Sequence, residues 1–509
     1  MSEVTDFTDG DAFDAYCELN PVDAGGAACA LKTSVEGITE GLNTFFLLFA
    51  GALVFMMQAG FAMLCAGSVR QKNVKNIMLK NLLDACGGAI GFYTLGYGFS
   101  YGSSNNMFIG ASDFAIRDMT SGSEYIGFFF QFAFAATAAT IVAGTVAERC
   151  KMSAYLCYSF FLTAFVYPVV VHSIWSSDGF LTAFGDGDLF RGVGMIDFAG
   201  SGVVHMTGGA TALVAAIILG PRRGRFYDDD GNVLETPVEF PAHSVALQVL
   251  GTFILWFGWY GFNPGSALMI ANNDSAATAA LCAVTTTLAA ACGSATAMFF
   301  DSVMDARVTG EVSYDLTMAM NGALGGLVAI TAGCSVVKPW SACIIGVIGG
   351  LVYYGVSKLL IKLKIDDAVD AIPVHFGNGI WGVIAVGLFS DKELQGIAGY
   401  RTTHHGCFLG GDGNLLLVQF CGILWICGWV FVIMTPFFMM LNAAGMFRVD
   451  PLEEEVGLDI SHHRGTAYDL APAKVTDVEE LMEVRASRHG KVEVPPEVVA
   501  QAAVADTDS

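Results

Sequence analysis

Asp197-Phe-Ala-Gly-Ser-Gly-Val-Val-His205 and Asp367-Ala-Val-Asp-Ala-Ile-Pro-Val-His375 each place a histidine eight residues after an aspartate, at the start of an apolar stretch. Two common residue types at one spacing carry little by themselves. Their direction carries more, and direction follows from counting the apolar stretches around them. A helix needs about 20 mostly apolar residues to cross a bilayer. Eleven such stretches run near 44–66, 75–99, 124–147, 153–175, 197–220, 241–262, 274–300, 316–337, 339–361, 373–391 and 415–446. The chain that holds them has 509 residues, 54% hydrophobic and only 14% charged. A soluble enzyme needs far more charged surface, so the class expected is an all-α, multi-pass membrane protein.

Lys and Arg are retained on the cytoplasmic face. Loops after odd-numbered stretches carry twelve of them, from Arg70 to Lys364. The opposite set carries six: Lys32, Arg117, Arg191, Lys338, Lys392 and Arg401. The N-terminus is therefore expected outside, and the C-terminus in the cytoplasm, of a plasma-membrane protein. The fifth stretch then enters from outside and the tenth from inside. This is a five-plus-five inverted repeat with a final helix, an arrangement transporters build around a central site. Eight residues of helix rise roughly 12 Å, so both histidines are expected near the midplane, where two imidazoles can meet. A histidine inside a span is costly unless it is partnered or lines a cavity; the plainer alternative is two packing histidines, each bonded to a backbone carbonyl. His172, His243, His404, His405, His462, His463 and His489 fall at span ends, in loops or in the tail, where a solvated surface is expected.

The chain is expected to divide into four segments. Residues 1–43 form an extracellular segment with Glu3, Asp6, Asp9 and Asp11 and no apolar core for a cleavable signal peptide, so the first span acts as the insertion signal. Residues 44–446 form the membrane domain, 447–470 a cytoplasmic regulatory segment, and 471–509 an acidic tail with too little apolar content to order itself. Carboxylates crowd the two ends of the chain, so nucleic acid is not an expected partner. Cys17 and Cys29 lie in the outward segment, where a disulfide within or between subunits stays open.

With this topology Phe134, Trp175, Asp197, Phe262 and Ser266 all fall towards the outer side. Taken singly, a Trp there is an interfacial belt residue and a Phe faces lipid or core. Together they offer a small cation an indole face, worth ~1–2 kcal/mol, and a hydroxyl to accept an N–H. That suits ammonium, with its four donors, and also tolerates potassium. Discrimination has to come deeper in the protein.

Over about residues 44–470 the sequence resembles the ammonium transporter, methylammonium permease and Rhesus superfamily, and within it the eukaryotic ammonium transporters. The stretches that carry the resemblance are Gln58-Ala-Gly-Phe-Ala-Met-Leu-Cys-Ala-Gly-Ser68, Asp197 to His205, Gly258-Trp-Tyr-Gly-Phe-Asn-Pro-Gly-Ser266 and Gly457-Leu-Asp-Ile-Ser461. It implies a recruitment site of Trp175, Phe134 and Ser266, a gate of Phe134 and Phe262, a central pair of His205 and His375, and an Asp197 that orders the vestibule. It also implies a homotrimer with one pore per subunit, and ammonium, ammonia and methylammonium as substrates. Rhesus proteins usually lack the Trp-based site, so Trp175 points to the ammonium branch. Many relatives have Gly after the second histidine, where this chain has Phe376. Ser461 stands where plant relatives carry a phosphorylated Thr, in a segment that docks beneath a neighbouring subunit; a protein kinase acting on Ser461, or on Thr466, is implied.

The expected function is ammonium transport, with ammonia and proton crossing separately and summing to electrogenic entry. Neutral ammonia conduction of the Rhesus kind and an ammonium sensor with secondary transport are the alternatives. A metalloenzyme is disfavoured, because no Cys, Asp or Glu falls at the midplane as a third ligand beside the two histidines. No cofactor is expected.

Overall fold

The computed structural model describes residues 24–103, 106–185, 187–463 and 465–468. Eleven helices dominate them: α1 (Ala24–Ser68), α2 (74–101), α3 (Gly122–Thr145), α4 (Met152–Trp175), α5 (Ser201–Leu219), α6 (Val245–Phe262), α7 (Asn273–Thr309), α8 (Leu316–Thr331), α9 (Pro339–Leu363), α10 (Ile372–Phe389) and α11 (Asn414–Ala443). Nine of these, among the described residues, are long and apolar enough to cross a membrane by composition alone. The other two are α8, with 16 residues, and α2, which carries Lys75, Lys80 and Asp84. Those charges are tolerated because they are partnered: Lys80 Nζ, fully buried, donates to Cys150 O at 2.8 Å, and Asp84 accepts from the Tyr155 hydroxyl.

Each expected span has its helix, but several ends differ. Helix α1 begins at Ala24, well before the expected start near 44, and α7 runs on to Thr309. Residues 1–23 and 471–509, with Cys17 and His489 among them, lie outside the described residues. Cys29 is disulfide-bonded. Helices α5 and α10 begin at Ser201 and Ile372, so the Asp-to-His stretches are not continuous helix. The helix instead starts inside the protein, and the histidine arrives in its first turns.

The first helices of the two halves, α1 and α6, lie along one another. Small residues make this approach possible; a Cβ at Gly251 would sit 2.4 Å from Leu64 N. At the end of the bundle expected to face the cytoplasm, the inner end, the loops after α1, α3, α5 and α9 are joined by buried ion pairs. Glu148 accepts from Arg70 Nε at 2.5 Å and Arg222 Nη1 at 3.0 Å, and Asp366 accepts from Arg222 Nε at 2.8 Å and Nη2 at 2.9 Å. The segment after α11 joins the same cluster, Glu454 accepting from Arg223 N and Arg448 Nη2, both at 2.8 Å. At the opposite end, the outer one on that expectation, Asn43 Oδ1, inside α1, accepts from Ile270 N and Ala271 N ahead of α7. Ends of odd-numbered helices thus gather on one face, as an alternating eleven-span chain requires.

Candidate functional site

Asp197 explains how a helix can begin in the middle of the protein. Four N–H groups at a helix start lack partners within the helix, and a buried start leaves them costly. The Asp197 carboxylate accepts from Gly200 N at 3.1 Å, Gly202 N at 2.9 Å and Val203 N at 2.8 Å. Gly200 takes φ +105°, a left-handed conformation that a Cβ would strain, and that Cβ would also meet the Trp175 ring at 3.1 Å. In the second half Asp367 accepts from Ile372 N at 2.7 Å. Both helices then open on a π-helical turn, Ser201–Met206 and Ile372–Gly377, which carries the histidine. Single π turns recur at functional sites because the extra residue re-aims a side chain.

His205 and His375 meet there. Their Nδ1 atoms are 3.1 Å apart and their rings are stacked with centroids at 5.1 Å. One Nδ1 donates and the other accepts, so the two imidazoles hold opposite tautomers. His205 is fully buried, and its Nε2 has no hydrogen-bond partner. The Nε2 of His172 is likewise without a partner, so what sets His205 apart is the ring that faces it.

Outward of the pair, Phe262 lies 5.4 Å from the His205 ring and stacks on Phe134 at 4.1 Å. Phe134 meets Trp175 edge-on at 6.0 Å. Beyond them a cavity of about 460 Å³ opens, lined by Phe134, Trp175, Ser266, Tyr101 and Gln131 among others. The Ser266 hydroxyl donates to Phe262 O at 2.8 Å, which leaves its lone pairs to accept. Trp175 Nε1 donates to Asp197 O at 2.7 Å, so the residue that caps α5 also fixes the indole. Inward of the pair lies a cavity of about 20 Å³, bounded by His375, Phe61, Thr140, Asn321 and Val374, with room for about one water. Val369 and Gly144, which pack on one another, also line it.

The residues singled out from sequence therefore lie in one row, in the order Trp175 and Ser266, Phe134 and Phe262, His205 and His375. Trp259 was missed. It is fully buried, stacks on His205 at 5.2 Å and donates from Nε1 to Thr331 Oγ1 at 3.0 Å. Its position three residues before Phe262 puts both on one helical face, and that was the available signal. The Phe376 backbone lies against Gly209 of α5, where a Cβ would sit 2.5 Å from Phe376 N. His172 corrects an expectation: it is fully buried rather than solvated, its Nδ1 bonded to Ser100 O at 2.9 Å, because the end of α4 packs against the end of α2. Among the described residues no group of three or more His, Cys, Asp or Glu is placed to hold a metal ion.

The tail folds under the inner end as α12 (Pro451–Val456) and α13 (Leu458–His463). Asp459 accepts from Lys75 N at 3.0 Å and Asn76 N at 2.9 Å, capping α2. Lys72 Nζ donates to Glu454 O at 3.1 Å and also to Glu455 O. Arg448 donates to Leu219 O and Pro221 O, both at 2.8 Å, at the end of the helix that carries His205. Ser461 is buried with its hydroxyl unpartnered, whereas Thr466 is half-buried and donates to Tyr468 O.

Eleven mostly apolar helices, two of them beginning at mid-protein beside a buried histidine pair, define a multi-pass membrane protein. A model of the family described as Ammonium Transporter Family matches residues 44–468. Ammonium transporter 1 member 3 of Solanum lycopersicum is 45% identical over 447 residues, covering 85% of this chain and 94% of the relative. Ammonium transporter 1 member 1 of Arabidopsis thaliana is 46% identical over 417 residues, 80% of this chain and 81% of the relative. A solved structure described as a sensor Amt protein superposes with a TM-score of 0.73 at 33% identity, covering 84% of this chain and 99% of that one. This chain belongs to the Ammonium Transporter Family.

Proposed function

We propose that the chain carries ammonium across the plasma membrane, N-terminus outside, as ammonia and a proton that cross separately and recombine, with one net charge moved per ammonium. The carrying observation is the Nδ1–Nδ1 hydrogen bond between His205 and His375, together with the unpartnered Nε2 of His205. Stripping water from an ion in an apolar passage costs many kcal/mol. Potassium cannot avoid that cost; ammonium can, by leaving its proton behind. A pair of imidazoles in opposite tautomers accepts a proton at one nitrogen and releases one at another, and a free Nε2 hydrogen-bonds ammonia as it passes.

Recruitment is assigned to the outer cavity. The Trp175 and Phe134 rings attract the cation and the Ser266 lone pairs accept one of its N–H groups. The stacked Phe134 and Phe262 admit only what has shed its water. Asp197 holds the α5 start and the Trp175 indole in place without touching the ion. Methylammonium differs by one methyl and is a second substrate. Three chains assemble, each with its own pore, and a kinase acting on Ser461 or Thr466 releases the tail.

Currents recorded while ammonium and pH are varied test this. The electrogenic scheme expects inward current whose reversal potential follows the ammonium gradient; uptake without net charge overturns it in favour of neutral ammonia conduction. A sensing role is a second reading, favoured by the Arg448 bonds that tie the tail to the end of α5. Uptake measured in cells that lack their own transporters separates the two, since a sensor with secondary transport supports signalling without supporting growth on ammonium.

A further inference from the structure

Helix α11 is the final span, left over when the other ten pair as five and five. Two indoles anchor it to α4: Trp425 Nε1 donates to Ser173 Oγ at 2.8 Å and Trp429 Nε1 to Val166 O at 3.0 Å. Gln419, Gly422 and Ile426 stand three and four residues apart on α11, hence on one face. That face meets both histidine helices. A Cβ at Gly422 would sit 2.2 Å from Met195 Sδ, and one at Gly202 would sit 2.9 Å from Ile426 Cδ1 and 3.2 Å from Val383 Cγ2. Gln419 is fully buried, and every part of its carboxamide is engaged. Oε1 accepts from Ile196 N at 2.9 Å, while Nε2 donates to Ile196 O at 2.7 Å and to Val383 O at 3.0 Å. Pairing with the N–H and C=O of one residue fixes the amide's orientation, since a flipped amide would set donor against donor and oxygen against two carbonyls.

We propose that Gln419 is a positioning residue for the histidine pair, setting α10 against the backbone that leads into α5 so that the two Nδ1 atoms stay within hydrogen-bond reach. The proposal rests on the relay reading of that pair. Ile196 directly precedes Asp197, in non-helical backbone inside the bundle, where polar groups have to be satisfied within the protein. Two of the three amide bonds meet that need. The third does not, because Val383 O lies inside α10, where a carbonyl has its own partner four residues on. What the third bond does is tie the lead into α5 to a point eight residues past His375. The Nδ1 atoms are 3.1 Å apart, and a hydrogen bond is lost by roughly 3.5 Å, so a small shift of α10 parts them. The plainer alternative is an amide that only satisfies Ile196, and the two differ in what its loss does to selectivity.

The test uses the full-length chain in cells that lack their own ammonium transporters, with ammonium and potassium fluxes divided by the number of copies at the surface. Gln419→Met keeps an unbranched side chain of similar length and removes all three bonds. The expected result is a roughly tenfold or greater fall in ammonium flux per copy, a half-saturating concentration within about twofold of wild type, and a loss of selectivity over potassium. In a His205→Ala background the same substitution adds no further loss of selectivity, because the arrangement it disturbs is already gone. Wild-type selectivity in Gln419→Met overturns the proposal, as does an equal further loss in the His205→Ala background, which is what a purely structural amide gives. Gln419→Glu is run beside it in case the Met variant does not reach the surface. It keeps the shape and the bond from Ile196 N but cannot donate to both carbonyls, so reduced selectivity supports the proposal and wild-type selectivity overturns it. If His205→Ala itself keeps wild-type flux and selectivity, the relay reading fails and the proposal with it. If His205→Ala loses them and neither Gln419 variant does, the proposal fails alone.

Discussion

His205 and His375 face each other through like atoms, so one must donate while the other accepts, and moving a proton through the pair exchanges the roles. General acid–base groups are worth roughly 10²–10⁴-fold, so His205→Ala or His375→Ala lowers ammonium flux by at least about tenfold and lets potassium compete through the wetter gap. Wild-type uptake and selectivity in both variants would show the pair to be packing. In the proposed scheme Trp175 acts earlier. Removing its ring in Trp175→Leu takes away ~1–2 kcal/mol of cation attraction, so the half-saturating ammonium concentration rises roughly five- to thirtyfold while the maximal rate falls less. An unchanged half-saturation returns Trp175 to the interfacial belt.

Among the elements, α5 and α10 decide the site because they meet where both begin. Their approach depends on Gly209, where a Cβ would sit 2.5 Å from Phe376 N and 2.8 Å from its Cα. Backbone cannot rotate away as a side chain tip can. Gly209→Ala therefore pushes the two π turns apart and costs about 1–3 kcal/mol. In membranes the variant is expected at normal abundance, with flux reduced and thermal stability lowered. Unaltered stability and flux would mean that the helices have slack at this crossing. The expected eight-residue helical rise from Asp to His did not occur, for a physical reason visible in Asp197: its carboxylate takes three backbone N–H groups that a continuous helix would have satisfied itself.

At the scale of the whole molecule, the inner ion cluster ties together loops far apart in sequence. Burial pushes the Asp366 carboxyl up, but Arg222 and Arg149 outweigh it and hold it well below the usual range; Glu148 is likewise held low against its burial by Arg222 and Arg70. A carboxylate depressed in the folded state stabilises the protein above its unfolded value and loses that contribution as pH falls towards the folded one. Asp366→Ala, which leaves Arg222 buried beside an absent partner, costs ~3–5 kcal/mol. Thermal unfolding should show a constant gap between variant and wild type from neutral pH down to about 5, narrowing below about 4. A gap that widens in acid would contradict the sign. The tail closes the cluster, and Ser461 within it is buried. A phosphate there adds nearly two charges beside Asp459, which already caps α2. Ser461→Asp is expected to suppress uptake even when mixed with wild-type chains, while Ser461→Ala stays active. Normal uptake by an Asp variant present at the membrane would remove the switch from this residue and leave Thr466.

The number of spans, the two Asp–His stretches and the aromatic candidates were legible from the sequence because each rests on local facts: apolar length, spacing and the sign of loop charges. The family resemblance was legible for the same reason, in four short contiguous stretches. Long-range packing settled the rest. Whether the helix start that Asp197 caps is buried, whether Trp259 backs His205, whether His172 is wet, and which arginine meets Glu148 or Asp366 all depend on segments distant along the chain. Arg222 and Asp366 stand 144 residues apart. Even the start of α1 escaped the hydropathy pattern, since Lys32, Glu36 and Glu40 interrupt the apolar run within its first turns.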